Sequence, residues 1–271
     1  MIRAERVGIV ARDDLSSMAE RIVKCIEGCV EVVADPTTAY KLEMRGVAIS
    51  DMDVDMVICV GGDGTILRTL RSMDEPIPLL GIGMGALGFL AALTPEEALK
   101  RICEVLDGFE VEKRSRLDII VDRERVATAM NEIVFLTLRP AKMLHFKIFI
   151  DGEEFERLRA DGVVFSTPTG STAYSMSAGG PIVDPEMNCT IIVPLAPFKL
   201  SARPAVVAGS RKVKFGLIEP DKDAMLVIDG ETNRSIKQGD EVEIVKSDRS
   251  ALFVKAGDGF FSRIRNKLMT I

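Results

Sequence analysis

A glycine-rich segment with a single carboxylate, Gly61-Gly62-Asp63-Gly64-Thr65, carries the most recognisable chemistry of this chain. It follows an apolar run at residues 57–60 and precedes apolar side chains at helical spacing, which predicts a strand, a tight loop and a helix. Glycines permit positive φ and let backbone N–H groups approach a ligand, and a helix N-terminus adds partial positive charge, so the segment suits phosphate. Asp63 would hold a bridging cation or accept a proton from a hydroxyl group, and both roles belong to phosphoryl transfer.

The same segment also has a purely structural interpretation, in which it is only a loop and Asp63 is the N-cap of the helix. A second stretch bears on this choice, because residues 161–182 predict a strand that ends in a loop rich in hydroxyl groups. Five hydroxyls surround one turn, more than capping uses, which favours a polar ligand such as a ribose or the edge of a purine. They belong to Ser166, Thr167, Thr169, Ser171 and Thr172.

A third glycine-rich segment, residues 83–88, matches the G-x-G-x-x-G pattern of dinucleotide-binding folds. Its helix should begin at once, yet the next clear helix start is Thr94-Pro95-Glu96-Glu97, which resembles a capping box. We therefore interpret residues 83–88 as a loop that closes over a ligand. The chain has no G-x-x-x-x-G-K-[ST] sequence, which argues against a P-loop mechanism.

Composition limits the class of protein. The 271 residues are 47% hydrophobic and carry a formal net charge of -6, which argues against nucleic acid or an anionic membrane as partner. No apolar run approaches the roughly 20 residues of a membrane span. The five cysteines form an odd set without a C-x-x-C pair, which is typical of a reducing cytoplasm. Cys25 and Cys29 are better explained as small buried hydrophobes than as metal ligands, and His145 as a structural or surface residue.

The order of apolar runs predicts the architecture. Predicted strands at 6–11, 30–34, 54–60 and 78–82 alternate with helical patterns, which indicates a mainly parallel sheet covered on both faces. After about residue 108 strands follow one another, so this part should be largely β. We expect an α/β N-terminal domain, residues 1–107, and a β-rich C-terminal domain, residues 108–252, with the active site between them. Residues 253–271 form a tail with a short helix, which the sequence assigns to neither domain.

One family combines these features. The glycine corner at 61–65, the pair Asn131-Glu132 and the stretch 161–175 (DGVVFSTPTGSTAYS) together resemble the NAD kinase family, and the resemblance covers most of the chain. Diacylglycerol, sphingosine and phosphofructo-kinases resemble the glycine corner, so the longer second motif distinguishes NAD kinases. The resemblance implies phosphorylation of the adenosine 2′-hydroxyl of NAD to give NADP. The donor would be ATP, or polyphosphate in some members, with Mg²⁺ or another divalent cation.

The resemblance also implies roles for single residues. Asp63 would be the proton acceptor, Gly64 would line the same pocket and Arg68 would meet phosphate. Dinucleotide contacts would come from Asn131, Glu132, Thr169, Thr172, Ala173, Tyr174, Ser175, Met176 and Ser177, with residues 172–177 at the adenosine. Arg159 and Asp161 match an R-x-D element in which Asp161 reaches a neighbouring subunit's ligand, which implies a homo-oligomer, a dimer or a tetramer. Lys142 and Ala196 correspond by position alone, and no residue is assigned to the metal.

Two positions depart from the family pattern. Phe198 follows Pro197 where the family commonly has Pro-His, and Gly83 replaces the Asn of G-I-N-x-G. Dinucleotide contacts should therefore differ in detail, and the preference between NAD and NADH is open. Two other functions also stay open, a lipid or small-alcohol kinase that shares the corner and a dinucleotide-binding regulator without turnover. The Asn131-Glu132 pair and the hydroxyl-rich loop argue against a lipid, whose site should be lined by apolar side chains.

Overall fold

The computed structural model describes residues 1–84, 88–139, 141–220 and 222–269. They fall into two compact units, Met1–Lys113 with Ala251–Ile271, and Arg114–Ser250. The C-terminal tail, which the sequence assigned to neither domain, thus belongs to the first unit. No helix among the described residues is both long and apolar enough to cross a membrane.

The first unit begins with alternating strands and helices. They are β1 (Arg6–Ala11), α1 (Ser16–Ile26), β2 (Glu31–Ala34), α2 (Pro36–Lys41), β3 (Met56–Val60), α3 (Asp63–Arg71), β4 (Leu79–Ile82), α4 (Pro95–Asp107) and β5 (Val111–Arg114). The second unit contains β6 (Leu117–Val121), β7 (Glu124–Ala129), β8 (Glu132–Thr137), β9 (Leu144–Ile150), β10 (Glu153–Ala160), β11 (Gly162–Ser166), α5 (Tyr174–Ser177), β12 (Cys189–Leu195), β13 (Ala205–Ala208), β14 (Val213–Leu217), β15 (Ala224–Ile228), β16 (Glu231–Ile236) and β17 (Val242–Lys246). The chain then returns to the first unit as β18 (Ala251–Val254), α6 (Phe260–Ile264) and a π-helical turn, Arg265–Met269.

The sheet of the first unit has the order β2-β1-β3-β4-β18-β5. Its ladders from β2 through β18 are parallel, which confirms the predicted mainly parallel sheet. Every residue of β3 is buried, because helices cover both faces of such a sheet and its central strands must be apolar throughout. The predicted capping box is confirmed at α4, where the Thr94 hydroxyl accepts from the Glu97 N–H and the Glu97 carboxylate accepts from the Thr94 N–H.

The second unit has two antiparallel sheets, which confirms the predicted β-rich part. Their orders are β10-β9-β14-β17-β6-β7 and β13-β12-β11-β8-β15-β16. Its core is mainly aliphatic and includes several phenylalanines, of which Phe135 and Phe215 stack with ring centroids 4.0 Å apart. The predicted hairpin at Asp151-Gly152 joins β9 and β10 with φ values of 50° and 91°, the left-handed conformation that Asp-Gly turns favour.

The expectation that Cys25 and Cys29 are buried is wrong, because both are exposed. Helix α1 buries Ile22 and Ile26, which leaves Cys25 on the solvent side, and the helix ends before Cys29. His145 lies on β9 with its Nδ1 atom 3.4 Å from Glu219 Oε1.

Candidate active site

The glycine corner forms as expected, between the end of β3 and the start of α3, but not for the expected reason. Gly62 is the N-cap of α3 with a φ of -87°, and none of the three corner glycines has a positive φ. Glycine is required at residue 61 because a Cβ atom there would collide with the Thr65 side chain. Close packing of the loop on its own helix, rather than left-handed backbone, therefore explains the corner.

Asp63 is the first residue of α3 and makes no side-chain cap, so the interpretation of this carboxylate as an N-cap is wrong. Its Oδ2 atom accepts a hydrogen bond from the Phe89 N–H at 2.8 Å, and its Oδ1 atom accepts from the Leu90 N–H at 3.2 Å. A Cβ atom at Gly88 would collide with this carboxylate. One N–H group thus fixes each oxygen of this half-buried carboxylate. Each oxygen can still accept a further hydrogen bond, for example from a ligand.

Beside the corner lies a cavity of about 330 Å³, lined by Arg12, Gly62, Gly64, Thr65 and Arg68. Arg12 directly follows β1, and its N–H donates to the Val60 carbonyl at the end of the neighbouring parallel strand β3. Its guanidinium is held by Asp14, with Nε 2.6 Å from Oδ1 and Nη2 2.9 Å from Oδ2. Ligand sites of parallel sheets lie at the carboxyl ends of the strands, so a cation directly after the first strand was a signal that our sequence reasoning missed.

The region 83–88, expected to close over a ligand, lies partly outside the described residues, since 85–87 are among those not described. The described end of this region, Gly88, faces Asp63.

In the second unit, Asn131 and Glu132 are held by the carboxylate of Asp229. Asp229 accepts the Met130 N–H on Oδ2 at 2.8 Å, and the N–H groups of Asn131 and Glu132 on Oδ1 at 2.7 and 3.1 Å. Asp229 stands at a φ of 47° in the Asp-Gly turn between β15 and β16. Burial raises the pKa of Asp229, and the three N–H donors act in the opposite direction.

Glu132 is 5% exposed, and one of its oxygens, Oε2, has no hydrogen-bond partner among the described residues. Burial, with a smaller contribution from Asp229, raises the pKa of Glu132 to about 7, while the backbone N–H of Tyr174 lowers it. Leaving a buried polar atom without a partner is costly, so such an atom points to a ligand group that would complete it. The hydroxyls of Thr169 and Ser175 are also buried without a partner in the described chain.

The other hydroxyls of the loop bind the protein itself. Thr167 Oγ1 donates to the Met130 carbonyl at 2.7 Å, and Ser166 donates to the Thr167 carbonyl at 2.9 Å. Ser171 and Thr172 likewise bond to backbone groups, so the number of hydroxyls reflects how the loop is built rather than a ligand. The loop continues through Thr169–Thr172 into α5, where Ser175 is buried, Ala173 and Met176 are half-buried, and Tyr174 and Ser177 are exposed.

The remaining predicted residues form a separate group at the other end of β11. Asp161 donates its N–H to the Leu195 carbonyl, next to the exposed Ala196 with its φ of 44°, and Phe198 donates to the Arg159 carbonyl. β11 is five residues long, or roughly 16 Å, so these residues lie that far from the hydroxyl-rich loop. Lys142 lies beyond β8 in a cavity of about 290 Å³ with Thr137, Leu138, Arg139, Lys222 and Asp223.

A glycine corner at the carboxyl edge of a parallel sheet, with a fixed acid and two guanidinium groups, defines a phosphotransferase-type site without a P-loop. Two family models match the chain, the ATP-NAD kinase N-terminal domain over residues 7–109 and the ATP-NAD kinase C-terminal domain over residues 130–256. The chain belongs to the NAD kinase family.

Individual relatives agree with this assignment. The NAD kinase of Methanothermobacter thermautotrophicus is 46% identical over 97% of this chain and 96% of its own length, and that of Methanosarcina mazei is 42% identical over 97% and 94%. Among solved structures, yeast NADH kinase complexed with NADH has a TM-score of 0.87 at 25% identity, covering 98% of this chain and 88% of its own. An NAD kinase from Archaeoglobus fulgidus in complex with ATP has a TM-score of 0.78 at 32% identity, covering 97% of both chains.

Proposed function

We propose that this protein is a phosphotransferase that phosphorylates the adenosine 2′-hydroxyl of NAD with ATP to give NADP. The observation that carries the proposal is Asp63, a carboxylate fixed by the N–H groups of Phe89 and Leu90 at the first turn of α3. Similarity to the two archaeal NAD kinases supports the same reaction, as does similarity to the yeast NADH kinase in complex with NADH and to the Archaeoglobus fulgidus NAD kinase in complex with ATP.

In the proposed reaction Asp63 accepts the proton of the 2′-hydroxyl while that oxygen bonds to the γ-phosphorus of ATP. The bond from the γ-phosphorus to the bridging oxygen breaks, and ADP leaves. A ribose hydroxyl is a weak nucleophile, so a carboxylate within hydrogen-bond reach accelerates its attack. Arg12 and Arg68 line the cavity beside Gly64 and offset the negative charge of the phosphates.

The dinucleotide would bind to Asn131, Glu132 and the hydroxyl-rich loop of the second unit. Glu132 Oε2 accepts a hydrogen bond from a hydroxyl group of the ligand. The hydroxyls of Thr169 and Ser175, which have no hydrogen-bond partner among the described residues, form hydrogen bonds with the same ligand. Asn131 and residues 172–177 complete the contacts with the adenosine portion. Each buried polar atom that gains a partner lowers the free energy of the complex by about 1–3 kcal/mol.

A divalent cation such as Mg²⁺ is also part of the proposal. Among the described residues no group of three or more His, Cys, Asp or Glu side chains is arranged to hold a metal ion. Mg²⁺ commonly binds to one or two carboxylates together with substrate phosphates, so the corner fits a cation that arrives with the nucleotide. When bound, such a cation neutralises phosphate charge.

We further propose that the enzyme is a homo-oligomer, a dimer or a tetramer, in which Arg159 and Asp161 reach the ligand of a neighbouring subunit. Support comes from their distance to the hydroxyl-rich loop and from two exposed apolar side chains nearby, Phe198 at 72% and Leu200 at 90%. Light scattering combined with an Asp161→Ala variant tests this, and a fully active monomer would contradict it. A cytoplasmic location is proposed from the five cysteines, none of which forms a disulfide.

The reaction is tested with purified protein, ATP, Mg²⁺ and NAD, by assaying the product with an NADP-specific dehydrogenase. Phosphorus NMR of the product should show a 2′-phosphate. A 3′-phosphate, a phosphorylated lipid, or NAD binding without turnover would each contradict the proposal. Replacing ATP by polyphosphate, and NAD by NADH, then defines the donor and acceptor range.

A further inference from the structure

The C-terminal segment, Phe260 to Met269, contacts the residues that fix Asp63. Arg263 Nη1 donates to the carbonyl of Phe89 at 3.3 Å and to the carbonyl of Ala91 at 2.9 Å. The ammonium of Lys267 lies 4.5 Å from the centroid of the Phe89 ring. Residues 89–91 therefore contact both Asp63 and the C-terminal segment. The N–H groups of Phe89 and Leu90 bind Asp63, whereas the carbonyls of Phe89 and Ala91 and the Phe89 ring contact the C-terminal segment.

Both Arg263 and Lys267 are half-buried, and the tail is anchored by Ile264, which is 5% exposed. Burial lowers the pKa of the Lys267 ammonium, and the neighbouring Asp63 carboxylate acts in the opposite direction. Desolvating an ammonium is unfavourable unless another interaction offsets the loss, and the face of the Phe89 ring, 4.5 Å away, provides one for Lys267.

We propose that Lys267 is a positioning residue for phosphoryl transfer, which holds Phe89, and through it Leu90, in place against Asp63. Arg263 fixes the tail in register by binding the carbonyls on the opposite side of the same short segment. The expected effect of Lys267 on the reaction rate rests on the proposed function. Its expected effect on the position of Phe89, measured without substrates, does not.

The test compares Lys267→Met with Lys267→Arg and with a control, Lys255→Met. Lys255 is a surface lysine of the same unit, 3.6 Å from Glu110. Each variant is assayed for kcat, for KM of NAD and ATP, and for its melting temperature. Hydrogen–deuterium exchange of the Phe89 and Leu90 amides is measured without substrates.

Lys267→Met should lower kcat about 10- to 100-fold, by analogy with the loss of residues that orient the ligands of a catalytic metal. The KM for NAD and the melting temperature should stay near the parent values, Lys267→Arg should recover most of the rate, and Lys255→Met should behave as the parent. The two amides should exchange about tenfold faster in Lys267→Met, as expected when a local contact of about 1.4 kcal/mol is lost.

Unchanged exchange of both amides in Lys267→Met would overturn the inference, as would a kcat that falls only in step with the folded fraction. A parent protein that makes no NADP, while its amides still respond to the substitution, would contradict the proposed function and leave the positioning role standing.

Discussion

Asp229 and Glu132 hold each other through two reciprocal hydrogen bonds, one to the Asp229 carboxylate and one between backbone groups. The Glu132 N–H donates to Asp229 Oδ1 at 3.1 Å, and the Asp229 N–H donates to the Glu132 carbonyl at 3.0 Å. The Glu132 side chain is buried and Asp229 is half-buried, so a turn between two strands of one sheet determines the position of the Glu132 carboxylate. Asp229 is therefore expected to act on dinucleotide binding without touching the dinucleotide.

The substitution Asp229→Asn tests this dependence. An amide cannot accept on its nitrogen, so the Met130 N–H loses its partner, and we expect the free energy of unfolding to fall by about 2 kcal/mol. The KM for NAD should rise because residues 130–132 are no longer fixed. Asp151→Asn is a matched control, since Asp151 also occupies an Asp-Gly turn, with a φ of 50°, but is exposed. Urea unfolding and steady-state kinetics measure both effects, and equal behaviour of the two variants would contradict the role.

The stability of the ligand-free protein should depend on pH through Glu132. Below pH 4.5, its ordinary pKa, the group is protonated in both the folded and the unfolded chain. As the pH rises toward about 7, the unfolded chain ionises first, so the free energy of unfolding falls, by about 3 kcal/mol from this group. Glu132→Gln should remove this part of the decline, while the decline from Asp229 remains. Urea unfolding from pH 4.5 to 7.5 measures it, and identical slopes for parent and variant would contradict the prediction.

Arg12 should contribute to nucleotide binding. We expect Arg12→Ala to raise the KM for ATP about tenfold, because a charged donor to phosphate is lost from the cavity beside Gly64. Arg157→Ala is the control, since Arg157 is an exposed arginine that pairs with Glu154 as Arg12 pairs with Asp14. Steady-state kinetics with ATP and NAD varied separately provide the measurement. A KM for ATP that is the same in both variants would show that Arg12 lies outside the binding site.

The strands and the glycine corner could be predicted because apolar periodicity and turn residues are local signals. Burial of β3 follows from its unbroken apolar run, and the start of α4 follows from its capping box. The contacts of Asp63 could not be predicted in this way, because Phe89 and Leu90 lie 26 and 27 residues further along the chain. The bonds from Asp229 to residues 130–132 span nearly a hundred residues, and only the folded sheet brings them together.

The hydroxyl-rich loop shows a different limit of sequence reasoning. The number of serines and threonines suggested a ligand, yet Ser166, Thr167, Ser171 and Thr172 bind backbone groups of the protein. Buried polar atoms without a hydrogen-bond partner, such as Glu132 Oε2, indicate a ligand more specifically than the number of hydroxyls does. They can be identified only in the folded structure, because the sequence does not show which groups surround a side chain.

The central claim is that Asp63 accepts the proton in the phosphorylation of NAD, and Asp63→Asn tests it most directly. The amide retains the shape of the side chain and can accept one of the two N–H groups that Asp63 now holds, so stability should fall by only about 1 kcal/mol. Loss of a general base typically costs about 10² to 10⁴ in rate. The account predicts a variant that melts near the parent temperature, binds NAD and forms NADP at least about a hundredfold more slowly. Near-parent turnover with ATP in Asp63→Asn would contradict it and leave the glycine corner with a structural role only.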